Sequence, residues 1–63
     1  MNREAGDVYE RWDMFEDAAY CYLEAKVFDK AGKCFEKAEK YTDAVVAYKD
    51  GSLYKEVVNL MQR

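Results

Sequence analysis

The sequence predicts an all-α fold of about five short antiparallel helices, stacked as an α-solenoid of helical-hairpin repeats, with one helix per 13-position period and one hairpin per two periods. Three observations carry this. The chain is 51% hydrophobic and 16% aromatic over 63 residues, has no Pro, and has only three Gly, at positions 6, 32 and 51. That composition supports a packed core and leaves too few turn residues for a strand-and-turn architecture. Second, aromatic residues recur every 13 positions, at Phe15, Phe28, Tyr41 and Tyr54. Third, the apolar positions within each unit follow helical and not alternating spacing.

The repeat can be written out position by position. Three residues after each opening aromatic come Ala18, Ala31, Ala44 and Val57, then Ala19, Gly32, Val45 and Val58. Cys21, Cys34, Ala47 and Leu60 follow, and next to them Tyr22, Phe35, Tyr48 and Met61. A small residue then returns at Ala25, Ala38 and Gly51. Read backwards, the register takes in Ala5, Gly6, Val8, Tyr9 and Trp12. The units are thus 2–14, 15–27, 28–40 and 41–53, with a shorter fifth at 54–63. A straight helix turns about 100° per residue, so one period ends about 140° short of four full turns. One long helix would therefore rotate each apolar stripe away from the last and bury no common face. Breaking the chain at each unit boundary removes the conflict and predicts helices near 3–12, 15–25, 28–38, 41–50 and 54–62.

The breaks have unequal local support. Asp13 with Glu16 reads as a capping-box variant opening the second helix. Gly51 followed by Ser52 reads as a left-handed Gly closing the fourth, with Ser52 capping the fifth. The breaks near 26–27 and 39–40 rest on periodicity alone. A weaker, doubled period overlies the first, because the sixth position is apolar at Tyr20 and Val46 but polar at Asp7, Lys33 and Asn59. The second and fourth helices should therefore carry the wider apolar face.

The stretches 25–38 and 37–48, Ala-Lys-Val-Phe-Asp-Lys-Ala-Gly-Lys-Cys-Phe-Glu-Lys-Ala and Lys-Ala-Glu-Lys-Tyr-Thr-Asp-Ala-Val-Val-Ala-Tyr, resemble tetratricopeptide-type helices. In these an aromatic opens the helix, a small residue follows three later, and a second aromatic and small residue close it. The resemblance covers essentially the whole chain but departs in length, since the tetratricopeptide unit is about 34 residues with a Pro near its end. The shorter hairpin is similar to the compact arrays of intraflagellar-transport and coatomer subunits. The resemblance implies a scaffold class and transfers no ligand-contacting residue.

Composition narrows the function. There is no His, and Thr42 and Ser52 are the only aliphatic hydroxyls, so a Ser/His or Cys/His nucleophile pair cannot be assembled. Two cysteines without His fall short of a zinc site, and Ala31-Gly32-Lys33-Cys34 lacks the glycine spacing of a phosphate loop. The expectation is a non-enzyme with no cofactor and no metal. A net charge of −3 argues against a general nucleic-acid footprint, and no apolar run is long enough to enter and span a bilayer. With Cys21 and Cys34 read as small core residues, a cytoplasmic setting is expected.

The charges are segregated. Seven acids against two Arg occupy residues 1–25, whereas Lys26, Lys30, Lys33, Lys37 and Lys40 dominate 26–40. Lys30, Lys33 and Lys37 should form a ridge opposite the Phe28–Ala31–Phe35–Ala38 stripe. They and Tyr20, which sits off the main stripe, are the candidate contacts for a protein or peptide partner. Trp12 stands where later units have Ala25 and Ala38, and is read as a cover over the first helix pair. The expected function is a protein–protein interaction module excised from a larger array, and an array with uncapped ends should self-associate. The rival expectation is an accessory or regulatory segment of a larger nucleic-acid or nucleotide enzyme such as a helicase, to which the lysine ridge would lend itself.

Overall fold

A computed structural model describes residues 2–62, with side chains from residue 3 onward; Met1 and Arg63 lie outside it. The helices are α1 (Asn2–Arg11), α2 (Phe15–Glu24), α3 (Phe28–Lys37), α4 (Tyr41–Asp50) and α5 (Tyr54–Met61). Each expected helix is present with its ends shifted slightly, and no strand occurs among the described residues. Consecutive helices pack on one another, giving a small all-α stack whose Cα atoms span 31 × 20 × 12 Å.

The four connections share one geometry. Asp13, Lys26, Glu39 and Ser52 each take a left-handed conformation, with φ of 61°, 61°, 62° and 59°. The amide after each donates five residues back: Met14 N to Tyr9 O, Val27 N to Tyr22 O, Lys40 N to Phe35 O and Leu53 N to Tyr48 O, at 2.7–2.8 Å. The left-handed residues themselves donate three residues back, to Glu10, Leu23, Glu36 and Lys49. This pair of bonds is a Schellman closure, which satisfies carbonyls left open at a helix end. Met14, Val27 and Lys40 then accept from Ala18, Ala31 and Ala44, so one residue closes a helix and opens the next.

Two local expectations are corrected here. Asp13 closes α1 and does not cap α2; Met14 holds the cap position, with no side-chain capping bond. Gly51 has φ −91°, and Ser52 takes the left-handed conformation, with Leu53 at the start of α5. The breaks without a local signal, at Lys26 and Glu39, use the same geometry as the other two.

The core is built from small residues and rings. Ala18, Ala19, Ala31, Ala44 and Ala47 are sealed, together with Tyr22, Cys34, Phe35 and Tyr48, and Leu60 is the buried residue of α5. Small residues let the helices approach closely, and two glycines take this furthest. A Cβ on Gly32 would sit 2.3 Å from Tyr48 Cε1, and one on Gly6 would sit 2.8 Å from Tyr22 Cε1. In the first two hairpins an odd helix thus supplies a Gly and the following even helix lays a Tyr ring on it, whereas the sixth-position residues that suggested a doubled period, Tyr20 and Val46, are half exposed.

Candidate interaction surface

Each of those rings ends in a hydroxyl that must find a partner when the ring is buried. The Tyr22 hydroxyl donates toward two carboxylates of α1, those of Asp7 and Glu10, lying 2.9 Å from the Glu10 oxygen. The Tyr48 hydroxyl donates to Glu36 of α3. Each Tyr thus passes from the core of an even helix to the polar side of the preceding odd helix, and fixes an acid there. Burial first, and then the bonds to Asp7 and Glu10, push the Tyr22 phenol far above its usual range, so it remains a proton donor.

The odd helices lie side by side across this polar side. Lys37 of α3 reaches Glu10 of α1 at 3.5 Å, and its ammonium lies 5.2 Å from the Phe15 ring centroid. Lys30 sits over the Tyr22 ring at 5.7 Å. Between α3 and α5 runs a cleft of about 310 Å³, with Tyr48 and Leu60 among its lining and Lys33, Glu36, Lys37, Glu56 and Asn59 around it. The three expected lysines therefore do share one side of α3. They do not make a uniform basic ridge, because Lys30 and Lys37 lean onto rings of α2 and acids alternate with lysines around the cleft.

Tyr20 is placed elsewhere. It is half exposed, and its ring meets Phe35 edge-to-face with centroids 5.4 Å apart and planes at 85°. Phe35 projects about 160° around α3 from Lys33 and Lys37 at helical spacing, so Tyr20 and the lysines cannot serve one ligand-sized site. Trp12 is 73% exposed and covers no helix pair, which corrects that expectation.

What composition alone could not reveal is the role of Tyr22 and Tyr48 in setting acids on the polar side. The available signal was Tyr in even units together with Glu10 and Glu36, which stand two periods apart. Chemically, the surface offers donors and acceptors with no activated nucleophile. Cys34 is buried and its thiol is pushed up to about 11, first by burial and next by Glu10. Cys21 is half buried and raised first by burial and then by Glu24 and Asp17. Raised thiols are poor nucleophiles. Among the described residues, no group of three His, Cys, Asp or Glu side chains is placed to hold a metal ion, and no helix is long and apolar enough to cross a membrane. No protein-family model, no curated protein and no solved structure matches the chain, so its surfaces are read from its own residues.

Proposed function

We propose that the chain is a non-catalytic protein–protein interaction module of the tetratricopeptide-like, α-solenoid kind, working in the cytoplasm. It holds an extended peptide of a partner along the polar side of α1, α3 and α5. The observation that carries this reading is the cleft between α3 and α5. Its floor is the buried Tyr48 and Leu60, and its rim offers the Lys33 and Lys37 ammonium groups, the Glu36 and Glu56 carboxylates and the Asn59 amide. An extended peptide presents backbone donors and acceptors at regular spacing, and a rim of mixed charge on a rigid floor can satisfy both.

The test is a titration of the isotopically labelled chain with peptides of opposite charge pattern, followed residue by residue in NMR spectra. Saturable shifts at Lys33, Lys37, Glu56 and Asn59 are expected, weakened at least tenfold in affinity by the pair Lys33→Glu and Lys37→Glu. Shifts confined to the outer faces of α2 and α4, or none with any peptide, would remove the reading. The rival role, an accessory segment of a nucleic-acid enzyme, requires salt-dependent binding to RNA or DNA. The acids interleaved with the lysines around the cleft give that role less support.

A further inference from the structure

The face of α2 that carries Tyr20 has a charge pattern that helix stability does not explain. No cation occurs between Trp12 and Ala25, and α2 presents Glu16, Asp17 and Glu24 to solvent. Glu16 and Asp17 lie in the first turn, where the helix dipole favours acids. Glu24 lies at the other end, where the dipole disfavours an acid. There α1, α3 and α4 each place a base in the last turn, Arg11, Lys37 and Lys49, and α2 has none. Among the described residues no ion pair reaches Glu16, Asp17 or Glu24.

Tyr20 stands in the middle of these acids. At helical spacing Glu16 and Asp17 lie one turn before it and Glu24 one turn after, and a helical side chain leans back over the turn before its own. The ring is half exposed and is held edge-to-face by Phe35 of α3. Lys30 lies over the Tyr22 ring and Lys37 over that of Phe15, but among the described residues no cation lies over Tyr20. Cys21, next in sequence, reports the field beside the ring: after burial, Glu24 and Asp17 raise its thiol. The other inner even helix differs. Two periods on, α4 has Asp43, Val46 and Asp50 at the matching positions, with no ring and with Lys49 in the last turn.

We propose that this face of α2 docks a basic segment of a partner protein, one of whose Arg or Lys side chains lies over the Tyr20 ring between Glu16, Asp17 and Glu24. The occupant follows from charge complementarity. Three carboxylates without a base repel an acidic segment, and an apolar one would strip them of water without replacing it. A cation meets the carboxylates and the ring face together, and the planar Arg guanidinium suits the ring best. The surface is separate from the cleft between α3 and α5, because Tyr20 and the lysines of α3 face apart, so it does not depend on peptide binding there. Exposed pairs are individually weak, which makes the docking weak and salt-sensitive.

The test is a titration of the isotopically labelled chain with a capped peptide of alternating Arg and Gly, with the matching Glu and Gly peptide beside it. The Arg peptide should give saturable shifts at Glu16, Asp17, Tyr20 and Glu24, fading between about 50 mM and about 0.5 M salt. Nuclear Overhauser contacts should join the Tyr20 ring protons to the Arg side-chain methylenes. Tyr20→Leu, with an unchanged helical spectrum, should weaken binding about threefold, the worth of one exposed cation–π contact. Neutralising Glu16, Asp17 and Glu24 together as Gln, Asn and Gln should weaken it about tenfold. Equal affinity for Tyr20→Leu, with no contact to the ring, would overturn the proposal in favour of diffuse attraction to an acidic chain. Arg-peptide shifts confined to the cleft, or equal binding of the Glu peptide, would overturn it as well. Self-association at low salt that shifts the same α2 residues without any peptide would give the face to the lysines of a second copy instead.

Discussion

Replacing Gly32 with Ala should be among the most damaging single-methyl changes in this molecule. The added carbon would lie 2.3, 2.5 and 2.7 Å from Cε1, Cζ and Cδ1 of Tyr48, whereas carbons rest at about 3.5–4.0 Å. The ring would have to retreat by about 1.2 Å to reach the near edge of that range. It has nowhere to go, since Tyr48 is 1% exposed and its hydroxyl is held by Glu36. Overpacking of this kind costs about 1–3 kcal/mol, and loosening a hydrogen bond to a carboxylate adds about 1.5–3 kcal/mol. Against this, Ala is favoured over Gly in a helix by about 1 kcal/mol. The net is a loss of about 1.5–5 kcal/mol from a core that rarely supplies more than about 3–5 kcal/mol. At about 4–8 °C per kcal/mol, the melting midpoint should fall by at least about 6 °C in circular dichroism. Placing Gly32→Ala on a Tyr48→Leu background should reverse its sign, because the ring is gone and only helix propensity remains. A midpoint that rises with Gly32→Ala alone would refute the close packing of α3 on α4.

Other changes probe other features. Glu39→Gly should stabilise by about 0.5–1 kcal/mol in chemical denaturation, because φ of 62° is strained for Glu and easy for Gly; a destabilised variant would contradict the left-handed closure. Ala44→Leu should cost about 1–3 kcal/mol, since Ala44 is sealed, and an unmoved melting curve would disprove the register. In the native state, Cys34 should label with a thiol reagent far more slowly than the half-buried Cys21, and equal rates would contradict that difference in burial. Burial raises the Cys34 thiol to about 11, so the neutral form favours folding; its contribution is complete below the usual thiol range and is lost as pH climbs through about 11. Cys34→Ala should therefore flatten part of the fall in melting midpoint between about pH 9 and 11, with Cys21 and Tyr22, also raised, still contributing.

Helix existence and helix ends were legible because one physical constraint, the mismatch between the repeat length and whole helical turns, acts on every unit alike. The chemistry of the joints was not. Left-handed residues are usually signalled by Gly, and here Asp13, Lys26, Glu39 and Ser52 occupy those sites while none of the three Gly does. Gly6 and Gly32 were legible as small positions, but their purpose depends on Tyr22 and Tyr48 in the following helix, which sequence distance hides. The surface was half legible: helical spacing placed Lys30, Lys33 and Lys37 on one side. The acids that break up their charge include Glu10 of α1 and Glu56 of α5, and only packing brings these near.

The shared joints have a consequence for how such a chain can change length. Met14, Val27 and Lys40 each belong to two helices at once through their amides and carbonyls, so no slack residue exists between units. Inserting or deleting one residue would turn everything downstream by about 100° relative to everything upstream and expose a core stripe. A gain or loss of one whole unit would keep the stripes aligned but would pair a Tyr-bearing helix with a helix lacking its Gly. Steps of two units preserve both conditions. The molecule is therefore quantised in length: duplication or excision should be tolerated in whole hairpins, and the joints act as phase markers that reject other edits.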